Sequence, residues 1–386
     1  MSDDTTQEGL APDAATVERR SALRAALQHA VEVTPGDAIL FSGGLDSSLL
    51  AALRPDLPVI TVALEGATSR QKPREGGGCS LCSNFNAYPR GCGADPQYAD
   101  KCAKHYGLRW HSLQVAREEA LVELQALMRA SQSYSLDLLN NITIYIGLKY
   151  ARQHNWLTVW TGDDADTLFA GYGFNGDNET WRTAIRAAIP RINPDATDIA
   201  KSLGVTMAYP FLHRGVVEIA GSLDLSDNVQ WLEGDEPGNF YDQFNPEAMQ
   251  RRAKPWGKAI LRHAAEGLLP IDILWRQKTH LMFGSAMCRL EWDLAHSLTE
   301  QDRREVGAAR TLDGSKRRCF INDVHRALYL LYIRMNLQAA VPRQGEQPCE
   351  WCGAGGIVVG EYGYCRVCGA YPAKSRPAEY CPDGDC

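Results

Sequence analysis

The sequence has little of what marks a membrane protein or a DNA-binding protein. Its 386 residues include no apolar run long enough to cross a bilayer. Lys and Arg total 40 against 47 Asp and Glu, for a formal net charge of −7, so the basic excess of most DNA-binding proteins is missing. Residues 1–15 are acidic and lack the apolar segment of a signal peptide. We expect a disordered tail there, and a cytoplasmic protein that binds neither membrane nor DNA.

The chain also lacks a Walker A loop, because no Gly-Lys-Ser/Thr follows its glycine-rich turn. That turn is ILFSGGLDSSLL, residues 39–50. Its glycines allow close backbone approach to an anion, and the helix that follows offers free N–H groups with partial positive charge. Asp46 would repel a bare phosphate, which indicates a bridging Mg²⁺. We predict a nucleotide-phosphate site formed by Ser42, Gly43, Gly44, Asp46, Ser47 and Ser48.

Apolar strands alternate with helices through the first half of the chain, which predicts an α/β fold with a doubly wound parallel sheet. The predicted strands are residues 37–41, 59–64, 109–115 and 157–162. A mostly helical region follows. The predicted organisation is a domain over 16–335 (sheet part about 36–175, helical part about 176–335, Cys-rich insertion about 66–94), a linker over 336–348, and a small zinc ribbon over 349–386.

SGGLDS is also the signature of the PP-loop ATP pyrophosphatases. Four further stretches resemble the synthetase domain of asparagine synthetase and β-lactam synthetase, and the motifs occur in the family's order. They are DPQYADKCAKHYG (95–107), TGDDADTLFAGY (161–172), YPFLHRGVVEIA (209–220) and KAILRHAAEGLLPIDILWRQK (258–278). The resemblance covers roughly residues 16–337 and implies an adenine nucleotide α hydrolase-like fold. It also implies an AMP-forming ligase, in which ATP activates a carboxylate for attack by an amine or ammonia and pyrophosphate leaves.

By this resemblance, Asp46 and Asp166 hold Mg²⁺, and Gly162 joins the nucleotide site. Lys278 neutralises pyrophosphate or the developing charge, and Asp163 binds metal or holds the incoming group. Helix capping and pairing with the helix dipole are the alternative for Asp163, Asp164 and Asp166.

Lys258 and Arg262 match the same pattern, and a structural ion pair explains them equally well. Asp164 replaces a family glycine, Thr167 a glutamate and His213 an aspartate, which indicates a second substrate other than the usual one. The chain begins Met1-Ser2 without a glutaminase domain. We therefore expect no glutamine hydrolysis, and a partner protein as one possible source of the nitrogen or sulfur donor.

Ten of the twelve cysteines fall in two groups that contain CxxC, the spacing of metal ligands or redox pairs in reducing compartments. The second group predicts a zinc ribbon whose metal supplies folding energy to a module with little core of its own. Its ligands would be Cys349, Cys352, Cys365 and Cys368. Cys381 and Cys386 could add ligands or be loose.

The first cysteine group lies in the insertion near the expected active-site edge, and zinc is the first prediction for it. Its members are Cys79, Cys82, Cys92 and, on the following helix, Cys102. A 4Fe-4S cluster or a redox-active pair is the alternative.

Two other functions remain open at this point. A tRNA or small-molecule sulfur transferase would use the same adenylation chemistry with Cys79, Cys82 and Cys92, and would make tRNA a possible partner. The other possible function is that of a catalytically inert nucleotide-binding scaffold that docks a partner through its ribbon.

Overall fold

We describe a computed structural model of the chain. It describes residues 14–66, 92–171, 178–179, 181–183, 194–234, 238, 250–358 and 363–376. No helix in these ranges combines the length and the apolar character that a membrane span requires.

Five parallel strands form the central sheet in the order β3-β2-β1-β4-β5. They are β1 (Ala38–Leu40), β2 (Val59–Leu64), β3 (Trp110–Val115), β4 (Thr158–Trp160) and β5 (Thr206–Ala208). All residues of β2 are buried, as expected for a strand covered on both faces. The predicted α/β fold with a parallel sheet is confirmed. The short strand β5 was not predicted, and neither was the antiparallel pair β6 (Gln230–Glu233) and β7 (Ala253–Trp256).

Helices cover both faces of the sheet and make up most of the remainder, as predicted. Those before β5 are α1 (Ala14–Val33), α2 (Leu45–Leu53), α3 (Asp95–Tyr106), α4 (Arg117–Ser131), α5 (Leu138–Gln153), α6 (Ala165–Leu168) and α7 (Pro194–Ser202). Those after it are α8 (Arg214–Ser222), α9 (Leu225–Asn228), α10 (Ala259–Ala264), α11 (Ile271–Leu274), α12 (Leu281–Gly284), α13 (Leu290–His296), α14 (Glu300–Gly307) and α15 (Asp323–Arg334).

Strand β1 places the functional residues because it lies between β2 and β4. The chain leaves β1 towards β2 on one side and returns to β4 on the other. Such a switch in strand order opens a crevice at the carboxyl ends of the strands, where open α/β sheets bind ligands. The glycine-rich turn after β1 and the acidic turn after β4 both lie at this edge.

The C-terminal cysteines pack into the body of the protein. Cys349, Cys352, Cys365 and Cys368 belong to the same core cluster as side chains of α4, α5 and α15. A short antiparallel pair, β8 (Ile357–Val358) and β9 (Tyr364–Cys365), joins the two halves of this module. Residues 336–348 are mostly exposed. The division into domain, linker and ribbon remains a prediction, but the ribbon shares its core with the domain.

Candidate active site

The turn after β1 is held tightly against α3. Gly43 has a φ of +66°, and a side chain there would overlap the backbone of Ala99. Ser47 Oγ accepts a hydrogen bond from Ser42 N (3.2 Å), and Ser42 Oγ accepts one from Gly44 N (3.2 Å). The turn is therefore already folded around its own hydroxyl groups, with the N-terminus of α2 facing the cleft.

Gly162 brings the two turns of the switch point into contact. A Cβ atom at this position would lie 2.9 Å from Asp46 Cβ and 3.0 Å from Ser47 N. Asp163 follows, and its backbone N–H donates to Thr161 Oγ1 (3.2 Å). Only a glycine allows the acidic turn to approach the start of α2 this closely.

A cluster of two lysines and two aspartates lies beside the glycine-rich turn. Lys258 Nζ lies 2.5 Å from Asp46 Oδ2 and 2.8 Å from Asp166 Oδ1. Lys278 Nζ lies 2.5 Å from Asp166 Oδ2. Burial opposes ionisation of Asp166, but the ammonium groups of Lys258 and Lys278 outweigh it and hold the pKa of its carboxyl well below the usual range. Asp46, Asp166 and Lys278, which the sequence singled out, therefore lie together.

Lys258 occupies a more central position than its sequence match suggested. It is 2% exposed, has a φ of +61°, and begins α10. Gly171 makes room for it, because a side chain there would overlap both the Asp166 carboxylate and Lys258 Cε. The structural ion pair, which was the alternative explanation for Lys258, is present. It joins Lys258 to both predicted magnesium ligands, Asp46 and Asp166.

The carboxylates of Asp46 and Asp166 suit a magnesium ion. Both contact the same ammonium group, so they lie close together, and carboxylate oxygens are ligands that Mg²⁺ prefers. Asp46 Oδ1 is buried and finds no hydrogen-bond partner among the described residues. A buried, unsatisfied carboxylate oxygen at this position is available to a cation.

The acidic turn is unusual at Asp164, whose φ of +70° is the left-handed region that favours the glycine of the family pattern. Burial raises the pKa of Asp164 to about 6, and the neighbouring charges of Asp163 and Asp166 add to the shift. Burial also raises the pKa of Asp163. In the described part of the chain, the Oδ2 atoms of Asp163 and Asp164 are buried without a hydrogen-bond partner.

Arg276 supports the glycine-rich turn, a role that sequence reasoning missed. Its guanidinium donates to Ser42 O (2.9 Å), pairs with the buried carboxylate of Asp95, and lies 4.2 Å from the ring centre of Tyr98. Arg276 therefore joins the turn to the start of α3 and to the segment that carries Lys278. The only signal in the sequence was its place two residues before Lys278.

A cleft open to solvent is lined by several of these residues, namely Ser42, Asp46, Ser47, Gly162, Asp163, Asp166 and Lys278. One side is charged and contains the cluster above. The other side is mainly apolar and contains residues that sequence reasoning did not select. These are Leu40, Phe41, Ile60, Thr61, Val62, Thr143, Ile144, Thr279 and Leu281.

The four C-terminal cysteines converge as the ribbon spacing requires. Their sulfur atoms all lie within 4.8 Å of one another, and the pairs Cys349–Cys368 and Cys352–Cys365 are each 3.7 Å apart. All four side chains are buried. The cluster could hold a metal ion, and in the described ranges it is the only group of three or more Cys, His, Asp or Glu side chains that converge in this way. None of its residues lines the cleft.

The structure does not bring Cys92 and Cys102 together. They pack in two separate core clusters. Cys92 Sγ accepts from Arg289 Nε (3.2 Å), whereas burial raises the pKa of Cys102 to about 11. Cys79, Cys82, Cys381 and Cys386 lie outside the described residues, so a metal in the first cysteine group remains a prediction.

Comparison with known proteins identifies the family. The asparagine synthase family model matches residues 18–197 and 195–321. A putative glutamine-hydrolysing asparagine synthetase 1 of Methanocaldococcus jannaschii is 24% identical over 269 residues, which are 64% of this chain and 45% of that protein. Asparagine synthetase 1 of Saccharomyces cerevisiae is 25% identical over 290 residues (68% and 48%). Asparagine synthetase B of Escherichia coli is 22% identical over 256 residues (64% and 41%).

The chain spans about half the length of these curated relatives, and the family match ends before the four-cysteine cluster. The match covers most of the chain and includes every residue of the charged cluster. The chain belongs to the asparagine synthase family.

Proposed function

We propose that the protein is an ATP-dependent, AMP-forming ligase that activates a carboxylate for attack by an amine or ammonia. Family membership supports the reaction class. The observation that carries the proposal is the cluster of Asp46, Lys258, Asp166 and Lys278 beside the glycine-rich turn. It combines anion-binding groups with carboxylates suited to a cation, which is what a nucleotide triphosphate with its metal requires.

The phosphates of ATP would bind at the N-terminus of α2. The free N–H groups there and the hydroxyls of Ser42 and Ser47 supply donors, while Ser48 is buried one turn into the helix. Mg²⁺, when bound, would be held by Asp46 and Asp166 and would neutralise phosphate charge. Lys278 is the more exposed of the two lysines and faces the cleft, so we assign it to the pyrophosphate leaving group.

The proposed reaction has two steps. A substrate carboxylate oxygen attacks the α-phosphorus, and the bond to pyrophosphate breaks. The lone pair of the nitrogen nucleophile then attacks the acyl carbon, AMP leaves with the bonding electrons, and the nitrogen loses a proton. Asp163 lines the cleft, and the raised pKa of its carboxyl suits it to hold the nucleophile and accept that proton.

The nitrogen source and the carboxylate are the least specified parts of the proposal. The curated relatives carry glutamine-hydrolysing names, which describe those proteins. For this chain we propose ammonia or an amine as the nucleophile, supplied free or by a partner protein. We also propose a zinc ion at the four-cysteine cluster. Its role would be structural, because the four cysteines do not line the cleft.

The test uses the full chain with Mg·ATP, a panel of carboxylates, and ammonium or primary amines, with AMP and pyrophosphate quantified together. We expect equimolar AMP and pyrophosphate, and an amide by mass spectrometry. Lys278→Met should lower turnover by about 10²–10³-fold, as for other groups that stabilise developing charge. Lys104→Met, at an exposed lysine paired with Asp100, is the matched control and should not change turnover.

Three results would contradict the proposal. Release of ADP and phosphate would exclude adenylation. Binding of Mg·ATP by calorimetry without any release of pyrophosphate would indicate the inert scaffold. Thiolated tRNA without an amide product would replace the ligase with a sulfur transferase.

A further inference from the structure

We propose that the four-cysteine cluster binds one zinc ion and that this ion fixes one wall of the cleft in place through residues 133–137. We call Thr143 and Ile144 the α5 wall, since both line the cleft from α5. Any effect of this wall on catalysis rests on the proposed function. The metal site does not rest on it, and its four cysteines lie beyond the end of the family match.

The two cysteine knuckles have the same backbone form. In the first, Gly353 N donates to Cys349 O (2.8 Å), and in the second, Gly369 N donates to Cys365 O (2.8 Å). Gly353 and Gly369 both have a left-handed φ, +79° and +76°. Each knuckle thus turns back after its second cysteine, so that its two thiols point the same way. Two such turns facing each other supply the four sulfurs of a tetrahedral site.

The surroundings of the sulfurs suit a tetrathiolate with two negative charges around a divalent ion. Arg318 is close enough to interact electrostatically with Cys352, and its guanidinium donates to Tyr134 Oη (3.0 Å). The Tyr332 hydroxyl is buried, interacts with Cys352 and Cys365, and finds no hydrogen-bond partner in the described ranges. A buried, unpaired hydroxyl beside thiols is explained if it donates to a thiolate bound to metal. Four thiolates favour zinc over a hard cation.

The second knuckle is bonded directly to residues 133–137. Val367 lies between two of the cysteines, and its carbonyl accepts from Tyr134 N (2.8 Å) and Ser133 Oγ (3.1 Å). Tyr364 Oη donates to Asp137 Oδ2 (2.8 Å). A side chain at Gly369 would overlap Ser135. The position of this segment therefore depends on the shape of the knuckle that the metal sets.

Residues 133–137 lead straight into α5. Thr143 lies six residues after Asp137, which is about 9 Å along the helix. On the way, Asn140 Oδ1 accepts from Met282 N (3.2 Å), and Thr143 Oγ1 lies 3.2 Å from Ser285 Oγ. These bonds place the α5 wall against the segment that carries Leu281, which also lines the cleft.

The first knuckle is bonded to another part of the chain. Cys352 O accepts from Leu312 N (3.2 Å), and Trp351 O accepts from Cys319 N (3.2 Å). One metal ion would therefore link residues 133–137, residues 312–319 and the C-terminal module. Metal binding would therefore add free energy to the folded arrangement of these three segments.

The first experiment measures metal in the full chain by elemental analysis. We expect one zinc per chain at the four-cysteine cluster, lost in Cys352→Ser/Cys365→Ser. Iron in place of zinc, or a cluster that takes up no zinc from a zinc-containing buffer, would overturn the metal assignment.

The second experiment follows amide hydrogen exchange with and without zinc, using a thiol reagent that releases the metal. We expect exchange over residues 133–146 to become at least tenfold faster and to recover when zinc and reductant are restored, while β1 and β2 change little. Faster exchange confined to residues 349–376, or equal acceleration everywhere, would overturn the coupling to the α5 wall.

A variant that keeps the cysteines separates coupling from metal loss. Ser133→Ala/Tyr364→Phe removes two bonds to the knuckle and should retain zinc, with severalfold faster exchange over residues 133–146. Arg366→Ala is the matched control, because Arg366 lies on the same knuckle but pairs with Asp198 on α7 (2.9 Å). It should change neither zinc content nor exchange. Unchanged exchange in the double variant would contradict the coupling.

The same exchange measurement distinguishes this inference from the proposed function. Protection of residues 42–48 by Mg·ATP tests nucleotide binding and requires no ligase assay. Protection there with no effect of zinc on α5 would overturn only the present inference. A zinc effect without protection would overturn only the nucleotide site.

Discussion

The charged cluster in the cleft and the four-cysteine cluster are both buried polar groups, but the chain builds them differently. Lys258 and Asp46 are 212 positions apart, whereas the most distant cysteines, Cys349 and Cys368, are 19 apart. The cleft cluster therefore exists only when the sheet and the helical region have both formed. The cysteine knuckles are local turns that need little besides a metal to come together.

The two clusters also differ in how their charge is balanced. Two lysines offset two aspartates in the cleft, so the cluster is neutral as it stands. The four thiols are crowded, and their negative charge would need a cation. Hydrogen bonds with neighbouring thiols, Cys352 first, lower the pKa of Cys349, whereas hydrogen bonds with Cys349 and then Cys365 raise that of Cys352. Loss of one charged side chain from the cleft cluster therefore leaves an unpaired buried charge. Loss of one cysteine leaves an incomplete metal site in the ribbon.

The largest effect is expected from Lys258→Met. It leaves Asp46 without its ammonium partner and removes one of two from Asp166, in a region with almost no solvent access. An uncompensated buried charge costs about 3–5 kcal/mol, so the free energy of unfolding in urea should fall by that amount. A loss below about 1 kcal/mol, similar to the exposed control Lys104→Met, would show that the cluster is not structurally required.

A smaller loss of stability is expected from Arg276→Lys, which keeps the positive charge but not the planar guanidinium group. A lysine cannot bond both Ser42 O and Asp95 in the same geometry, and it loses the stacking on Tyr98. We expect about 1.5–3 kcal/mol of destabilisation in urea, the range for a lost hydrogen bond to a charged group. Mg·ATP affinity should fall as well, because the glycine-rich turn loses its support. Unchanged stability and affinity would contradict this role.

Asp164 gives a pH-dependent prediction. Its folded pKa of about 6 lies above its usual 3.8, so protonation of Asp164 favours the folded state. That contribution is complete below pH 3.8 and is lost as the pH rises through 6. Asp164→Asn, which tolerates the same left-handed backbone, should therefore match the wild type near pH 4 and exceed it by about 1–2 kcal/mol at pH 8.

Asp164→Gly serves as its control, because glycine also relieves the backbone strain and should stabilise at both pH values. The free energy of unfolding in urea, measured for the wild type and both variants at pH 4 and pH 8, tests this prediction. An equal difference between Asn variant and wild type at pH 4 and pH 8 would show that the carboxyl does not titrate as described.

The smallest effect is expected at the rim of the ribbon. Lys316→Ala removes an ion pair with Glu350 whose lysine is 43% exposed. Surface pairs contribute about 0–1 kcal/mol, so the midpoint of urea unfolding should barely move and zinc content should stay constant. A loss of zinc in this variant would mean that the ribbon depends on its surface contacts and not on its cysteines.

Much of the sheet was predictable because its signals are local. The predicted strand 59–64 coincides with β2, and the predicted strands 37–41 and 109–115 exceed β1 and β3 by one or two residues. The three-residue β5 and the pair of β6 and β7 were missed. Short strands have too few residues to show a period, and β5 is defined by its pairing with β4.

The candidate site was predictable in its acids, its glycines and Lys278, but not in the central position of Lys258 or in its apolar side. Asp46, Asp166 and Gly162 stand in recognisable strings, whereas Lys258 became central only through its two partners. Thr143 and Ile144 sit in an apolar helix that sequence alone reads as core. Which of its faces meets a cleft depends on elements far away in the chain.

The sequence by itself determined the glycine-rich turn, the alternation of strands and helices, and the two cysteine knuckles, because each depends on neighbours a few residues apart. The tertiary structure alone decided that Lys258 lies between Asp46 and Asp166, that Arg276 supports the turn, and that the ribbon packs against the start of α5. These contacts join positions far apart in the chain, 212 residues for Lys258 and Asp46 and 234 residues for Arg276 and Ser42. Their geometry comes from the strand order and from packing, which no local pattern contains.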